Sequence, residues 1–402
     1  MEEFKTYILE ELTIGKGSYG IAAPAIPFNP SKHTYLRITD INDDGTLNKQ
    51  GLMSVDDENA SNYILKENDI VFARTGNSTG RSYFYDGADG EFVYAGFLIK
   101  FSIDKKKVNP RILKYYTHSK PYFNWVRSFD TGGTRGNINA KTYGTMPITL
   151  PSRELQDKIV SILKSLDDKI ELNRRINGNL EQQAQALFKA WFVDFEPFKD
   201  GKFVDSELGM IPEGWKVGNL SDIANITMGQ SPDGKSYNEC GDGMIFYQGR
   251  AEFGYRFPYV RLYTTQPKKI AEPLSILLSV RAPVGDINIA YYKCCIGRGL
   301  AAIQCTNKCQ SFLFYLIQSL KPIFNQYNGE GTVFGSISKE ALSNIRIVIP
   351  KIEVINRFES IAKNIDRLIL QYFLQIKNLE SLRDTLLPRL MSGELNVNTL
   401  TE

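Results

Sequence analysis

Gly133-Thr134-Arg135-Gly136-Asn137-Ile138 runs through Ile148-Thr149-Leu150-Pro151 into a long helical pattern. Further along, Gly331-Thr332-Val333-Phe334-Gly335-Ser336-Ile337 runs through Ile347-Val348-Ile349-Pro350 into another. A glycine-rich loop, a short strand closed by proline and a rod are thus written twice. The duplication predicts two similar globular heads and two similar rods, an arrangement suited to a target that is itself bipartite.

In the first rod apolar residues fall at Leu155, Ile159, Ile162, Leu166, Ile170, Ile176, Leu180, Ala184 and Leu187. The steps are mostly three and four, as an a/d helical seam requires. Asn173 lies on the same seam, where a polar residue fixes register at a cost in stability. The second rod places Phe358, Ile361, Ile365, Leu368, Tyr372, Ile376, Leu379, Leu382 and Leu386 in the same pattern. Pro151 and Pro350 precede the two starts, where a missing N–H is tolerated. Rods of about 36 residues extend ~54 Å at 1.5 Å per residue. Equal rods at the same place in two repeats are expected to pack on each other, antiparallel; separate core helices are the alternative.

Ahead of the rods, Asp69-Ile70-Val71-Phe72-Ala73-Arg74 and Ser275-Ile276-Leu277-Leu278-Ser279-Val280-Arg281 read as buried strands ending in turns. Further strands are expected over 92–101, 287–292 and 300–304, and short helices over 112–116 and 312–320. The mixture is α+β. Other stretches recur in order. Phe4-Lys5 with Leu9 and Leu12 answers Trp215-Lys216 with Leu220 and Ile223. Tyr35 to Ile41 answers Phe246 to Glu252, and Ala95-Gly96-Phe97 answers Arg298-Gly299-Leu300. The expected organisation is a head over 1–150, a rod over 151–195, a linker over 196–212, a head over 213–349 and a rod over 350–395. Trp191-Phe192-Val193-Asp194-Phe195, at the end of the first rod, is either local core or a docking surface.

Composition narrows the function. The chain has 402 residues, enough for two or three domains, and an ordinary 42% hydrophobic content. No apolar run reaches the ~18 residues of a membrane span. The N-terminus lacks a signal-peptide pattern. Five cysteines argue against a disulfide framework and for a reducing cytoplasm. The net charge is +3, which neither demands nor excludes nucleic acid, and two histidines leave little for metal or general acid–base chemistry.

Motifs for catalysis fare poorly. Gly229-Gln230-Ser231-Pro232-Asp233-Gly234-Lys235-Ser236 matches the phosphate-cradling P-loop pattern. That mechanism needs a helix starting at the lysine, and Tyr237-Asn238-Glu239-Cys240-Gly241-Asp242-Gly243 is a loop-forming run. A nucleotide hydrolase or nuclease using this stretch is the alternative function. Cys294-Cys295 and Cys305-x-x-x-Cys309 fit no common zinc spacing and read as buried thiols. The pairs Asp43-Asp44, Asp56-Asp57 and Asp167-Asp168 point apart on any regular element and read as solvated surface.

What remains suits nucleic acid. Arg74-Thr75-Gly76-Asn77-Ser78-Thr79-Gly80-Arg81 follows a buried strand, and Arg281-Ala282-Pro283-Val284-Gly285 is expected at the same place in the second head. Arginine pairs with guanine O6 and N7, asparagine with adenine N6 and N7, and glycine lets backbone amides approach phosphates. In the first head the candidate DNA contacts are Lys16, Tyr19, Arg37, Arg74, Thr75, Asn77, Arg81, Arg135, Asn137 and Lys141. In the second they are Gln230, Lys235, Tyr237, Gln248, Arg250, Arg281, Arg298, Ser336 and Lys339.

Several stretches resemble the specificity subunit of Type I restriction–modification enzymes. Leu187-Phe188-Lys189-Ala190-Trp191-Phe192-Val193-Asp194-Phe195-Glu196-Pro197 looks like that family's central segment. Leu208-Gly209-Met210-Ile211-Pro212-Glu213-Gly214-Trp215, with Leu220-Ser221-Asp222-Ile223 and Gly229-Gln230-Ser231-Pro232, looks like the approach to its second recognition domain. Leu386-Leu387-Pro388-Arg389-Leu390-Met391-Ser392-Gly393-Glu394-Leu395 looks like its C-terminal end. The first repeat departs in detail, with Phe4 for Trp215 and Gly15-Lys16-Gly17-Ser18 roughly where Gly229-Gln230-Ser231-Pro232 stands. The resemblance implies two target recognition domains separated by a pair of antiparallel coiled-coil helices, each domain reading half of a split double-stranded DNA site. It implies that the helices set half-site spacing and dock modification subunits, here through Trp191, Phe192, Phe195, Leu387 and Leu390. Those partners carry S-adenosylmethionine, and restriction subunits with ATP and magnesium join them; the chain itself is implied to be non-catalytic. Lengthening both rods by one heptad is then expected to move the preferred spacing by a few base pairs.

Overall fold

Proline before the first turn and long runs of good helix formers carry both rods through without a break. In the computed structural model, which describes residues 4–49, 51–130, 136–328, 335–395 and 397, they are helices of 40 residues each, Arg153–Phe192 and Ile352–Met391. The chain divides into two compact units, Met1–Leu172 with Gln375–Glu402, and Asn173–Leu374. Each unit therefore owns half of each long helix. In the second unit the Phe188 and Phe358 rings lie 5.7 Å apart, while Glu181 and Asp366 share one arginine. One index falls as the other rises, so the helix halves there run antiparallel. In the first unit Arg383 of the second helix donates to Asp167 of the first at 3.2 Å.

The seam expected for the first helix is buried or half-buried at every position, and Asn173 is fully buried. The second helix corrects its expected seam. Ile361, Leu368 and Leu382 are exposed, and Phe358, Ala362, Ile369 and Ile376 take the interior. Apolar residues occupy two faces of this helix, so periodicity alone cannot choose between them.

Within the first unit a four-stranded antiparallel sheet has Asp69–Ala73 between Leu98–Ser102 and Ser82–Tyr85, with Ser18–Tyr19 at its edge. The strand expected over 92–101 is two strands, Val93–Tyr94 and Leu98–Ser102, parted by a turn in which Leu98 N–H donates to Ala95 O. Val93–Tyr94 pairs parallel with His33–Leu36 in a second small sheet. Helices Pro110–Tyr116 and Lys120–Arg127 cover the first sheet, and Phe72, Phe101, Tyr122 and Tyr143 fill the core with rings 4.7–6.3 Å apart. The strand Lys5–Ile8 pairs with Pro147–Leu150 immediately before the first long helix.

The second unit repeats this plan, with a longer edge strand and the same key backbone bonds. Ala224–Met228, Leu300–Cys305, Ile276–Ser279 and Ile287–Ile289 form its four-stranded sheet, and Lys216–Asn219 pairs with Arg346–Ile349. The Gly20 N–H donates to Leu98 O, and the Gly229 N–H to Leu300 O. The Arg74 N–H donates to Phe97 O, and the Val280 N–H to Gly299 O. Ile138 donates to Arg74 O as Ile337 does to Val280 O, and Gly80 to Ala73 O as Gly285 does to Ser279 O. Gly20 and Gly229 share a further constraint. A Cβ on Gly20 would lie 2.2 Å from Tyr94 O, and one on Gly229 would lie 2.1 Å from Gly297 O. Two backbones pass there with no room for a side chain, so a glycine stands at the same place in both repeats.

The segment expected as a linker is partly ordered by pairing, with Phe203–Val204 against Ile211–Pro212. Trp215 then packs on Phe192, Phe195 and Phe198 with ring centroids 5.1–6.0 Å apart.

Candidate nucleic-acid interface

In the first unit, the end of the central strand, the turn before Leu98 and the edge strand meet at one tip. Arg74 leaves the strand half-buried, and its guanidinium carbon sits 5.1 Å from the centre of the Tyr19 ring. Stacking a guanidinium on a ring holds it without spending its donors. Its Nε is shut from solvent without a hydrogen-bond partner among the described residues. The Tyr19 hydroxyl accepts from Ala140 N–H at 3.1 Å. That N–H opens the helix Ala140–Gly144, which Asn139 caps by accepting from Thr142 N–H. Thr79 donates to Gly136 O at 3.1 Å, so the glycine-rich loop and the 74–81 loop are tied together. Tyr19, Arg74, Thr75, Asn137 and Lys141 thus belong to one neighbourhood, with Asn137 and Lys141 exposed. Arg135 lies outside the described residues, as do Gly331 to Phe334.

The second unit corrects the expected correspondence. The backbone bonds set Val280, not Arg281, at the place of Arg74, and Arg281 answers Thr75. A slip of one residue on an extended strand sends a side chain to the other face. Val280 is buried accordingly, and Arg281 is exposed. By the same register Phe97 answers Gly299 and Gly96 answers Arg298, one residue off the sequence match. Gly20, not Gly15 to Ser18, answers Gly229, which leaves Lys16 outside that correspondence. Arg281 forms an isolated antiparallel bridge with Ser336. Arg281, Arg298, Gln230, Gln248, Ser336 and Lys339 are exposed, and none of the arginines and lysines among them forms an ion pair among the described residues.

Other candidates are committed elsewhere. Arg37 donates to Asp40 at 2.7 Å and closes a turn, Arg81 donates to Asp43 at 2.7 Å, and Arg250 pairs with Asp286 at 2.9 Å. The register places Asp286 where the first unit has Arg81, so an anion stands at that position in one unit and a cation in the other. The P-loop match fails on geometry. Gly234–Ser236 is a single 3-10 turn with Asp233 accepting from Lys235 N–H, and a strand, Tyr237–Asn238, follows. Lys235 is exposed and the Tyr237 hydroxyl donates to Pro232 O, 3.1 Å away.

Two polar latches, missed in the sequence, join each globular region to its long helices. In the first unit Asp167 accepts from Lys114 at 2.8 Å, from Tyr115 at 3.0 Å and from Arg383. Burial pushes this carboxyl up, but the two cations outweigh it and hold it below the usual range. In the second unit buried Arg256 donates to Glu181 and Asp366, one on each long helix, and to the Tyr315 hydroxyl, which itself donates to Asp366 at 2.9 Å. Burial works against the Arg256 charge; Asp366 and Glu181 overcome it, so the guanidinium stays charged. Asp167 and Asp366 stand at the same distance beyond Pro151 and Pro350, and Tyr115 and Tyr315 at the same place in their helices. That shared offset was the available signal. Asp167 is therefore not the solvated surface expected of the Asp167-Asp168 pair.

The expected docking residues are also corrected. Leu387 is 7% and Leu390 1% exposed, both in the first unit's core, so neither offers surface to a partner. Trp191 and Phe192 are half-buried against Phe358 at 6.1 and 5.1 Å, and Phe195 packs on Trp215. They take the local-core reading.

The model of the Type I restriction modification DNA specificity domain matches this sequence twice, over residues 3–182 and 212–383. The chain belongs to that family. Among its relatives is a putative type I restriction enzyme specificity subunit, MjaX, of Methanocaldococcus jannaschii, 34% identical over 352 residues, covering 85% of this chain and 82% of the relative. The HindI specificity subunit of Haemophilus influenzae is 25% identical over 404 residues, covering 82% and 87%. A crystal structure of a Type-I restriction-modification system S subunit from M. genitalium covers 97% of this chain and 96% of its own, with a TM-score of 0.55 at 16% identity. The double match of the specificity-domain model agrees with the repetition of the four-stranded sheet in both units.

Proposed function

We propose that this chain is the DNA sequence-recognition subunit of a Type I restriction–modification complex, reading a bipartite double-stranded site with one half-site per repeat. The single observation that carries this reading is the duplicated tip: the same backbone hydrogen bonds present different exposed polar and cationic side chains in each unit. A shared scaffold with unlike tips is what reading two unlike half-sites requires. The readers are assigned to 1–150 and 213–349, the helices to 151–195 and 350–395, and the joining segment to 196–212. Methylation with S-adenosylmethionine, and cleavage with ATP and magnesium, belong to partner subunits; this chain contributes recognition, in the cytoplasm. No described helix is long and apolar enough to cross a membrane. Modification subunits dock on the long helices, two of them in keeping with the two repeats. Ile361 and Leu368, 40% and 37% exposed in heptad register, support that docking better than the buried Leu387 and Leu390.

Genome-wide mapping of methylated adenine with and without this gene tests the reading. A two-part motif that disappears on deletion is expected; a methylation pattern unchanged by deletion contradicts it.

A further inference from the structure

The two tips share a backbone plan and carry different chemistry. At the turn of the first tip stands Phe97, 59% exposed, its carbonyl accepting from Arg74 N–H at 3.1 Å. Beside it the Arg74 guanidinium is held over Tyr19, and Tyr19 is itself fixed by Ala140 N–H. The first tip therefore presents a free aromatic ring next to a held cation. The second tip has glycine, Gly299, where the ring would be. It has instead two exposed arginines, Arg281 and Arg298, neither in an ion pair among the described residues.

Resting on the reading that these tips face DNA, we infer that the two repeats discriminate bases by different contacts. Phe97 packs on the 5-methyl group of a thymine, and Arg281 and Arg298 hydrogen-bond to guanine. Phosphate contact accounts for the cations but not for Phe97, because an apolar ring offers a phosphate oxygen nothing. In the major groove thymine displays its methyl group and guanine its O6 and N7 acceptors, which match an apolar ring and a guanidinium respectively. A ring wedged between base steps is the competing use of Phe97, and it is indifferent to the thymine methyl. Removing that methyl separates the two.

The experiment uses the full chain assembled with its modification subunits and duplexes carrying the mapped site. Each thymine is replaced singly by uracil, which lacks the methyl, and each guanine by 7-deazaguanine, which lacks N7. Uracil at one position of one half is expected to weaken binding about fourfold, the worth of one buried methyl. Phe97→Ala, at an exposed position, is expected to abolish that difference. In the other half, 7-deazaguanine is expected to weaken binding about fivefold or more, and Arg281→Ala or Arg298→Ala to remove the effect. The inference is overturned if Phe97→Ala stays as uracil-sensitive as the unsubstituted chain, if no thymine in the site responds to uracil, or if 7-deazaguanine effects survive both arginine substitutions. Those outcomes leave sequence-dependent binding, and the underlying reading, intact. A complex that binds all duplexes alike overturns both.

Discussion

At the scale of the residue, the tips depend on two glycines where backbones approach closely. Gly20→Ala and Gly229→Ala each drive a methyl group into a backbone carbonyl that cannot move independently of its strand. Each is expected to cost about 1–3 kcal/mol, read as a lowered denaturation midpoint. Gly234→Ala, with open space around it, is expected to stay within about 0.5 kcal/mol. Equal stability of all three variants would contradict the close approach. His118 makes a second prediction. Its ring donates from Nδ1 to Lys114 O at 2.8 Å. Burial lowers its pKa, with help from the nearby Lys114 and Arg383 cations and against the pull of that carbonyl and Asp44. The folded chain thus refuses a proton that the unfolded chain accepts below about pH 6.5. Stability is complete above that pH and falls as pH drops from there toward the depressed folded value. Thermal melts at pH 7.5 and 5.5 are expected to show a larger loss for the unsubstituted chain than for His118→Asn, and equal losses would contradict the assignment.

At the scale of the element, the long helices are tethered to their globular regions by buried charge as well as apolar packing. Arg256→Met leaves buried Glu181 and half-buried Asp366 with their shared cation gone, an expected loss of about 3–5 kcal/mol. Tyr315→Phe removes two hydrogen bonds, one from Arg256 and one to Asp366, but leaves the charges paired, and is expected to cost about 1–2 kcal/mol. Comparable urea midpoints for the two variants would show that Arg256 is not the keystone of the cluster. These latches mark where sequence reading stopped. The helices and the central buried strands were legible because their apolar patterns are long, and the first helix's seam followed because its pattern is one-sided. The second helix carries apolar residues on two faces, so Ile361 and Leu368 were taken for interior. Arg256 sits in an aromatic, loop-like stretch that gives no hint of burial, and Asp167 was masked by its neighbour Asp168. Arg74 and Arg281 look equivalent as letters. Only backbone hydrogen bonds reveal that they differ by one position and point to opposite faces.

At the scale of the whole molecule, the claim is that one chain holds two unlike readers on one duplicated plan. The duplication itself was legible in the ordered recurrence of short stretches, and the specificity-domain model matches both copies. Division of labour between the copies was not legible, because it resides in which side chains stand at matched backbone positions. The most direct test maps methylated adenine genome-wide for three forms of the complex: unsubstituted, Arg74→Ala, and Arg281→Ala with Arg298→Ala. The account predicts a two-part motif in which the first variant loosens one half only, at one position worth ~1–3 kcal/mol, and the second loosens the other half only. A single contiguous motif, or both variants loosening the same half, would contradict it.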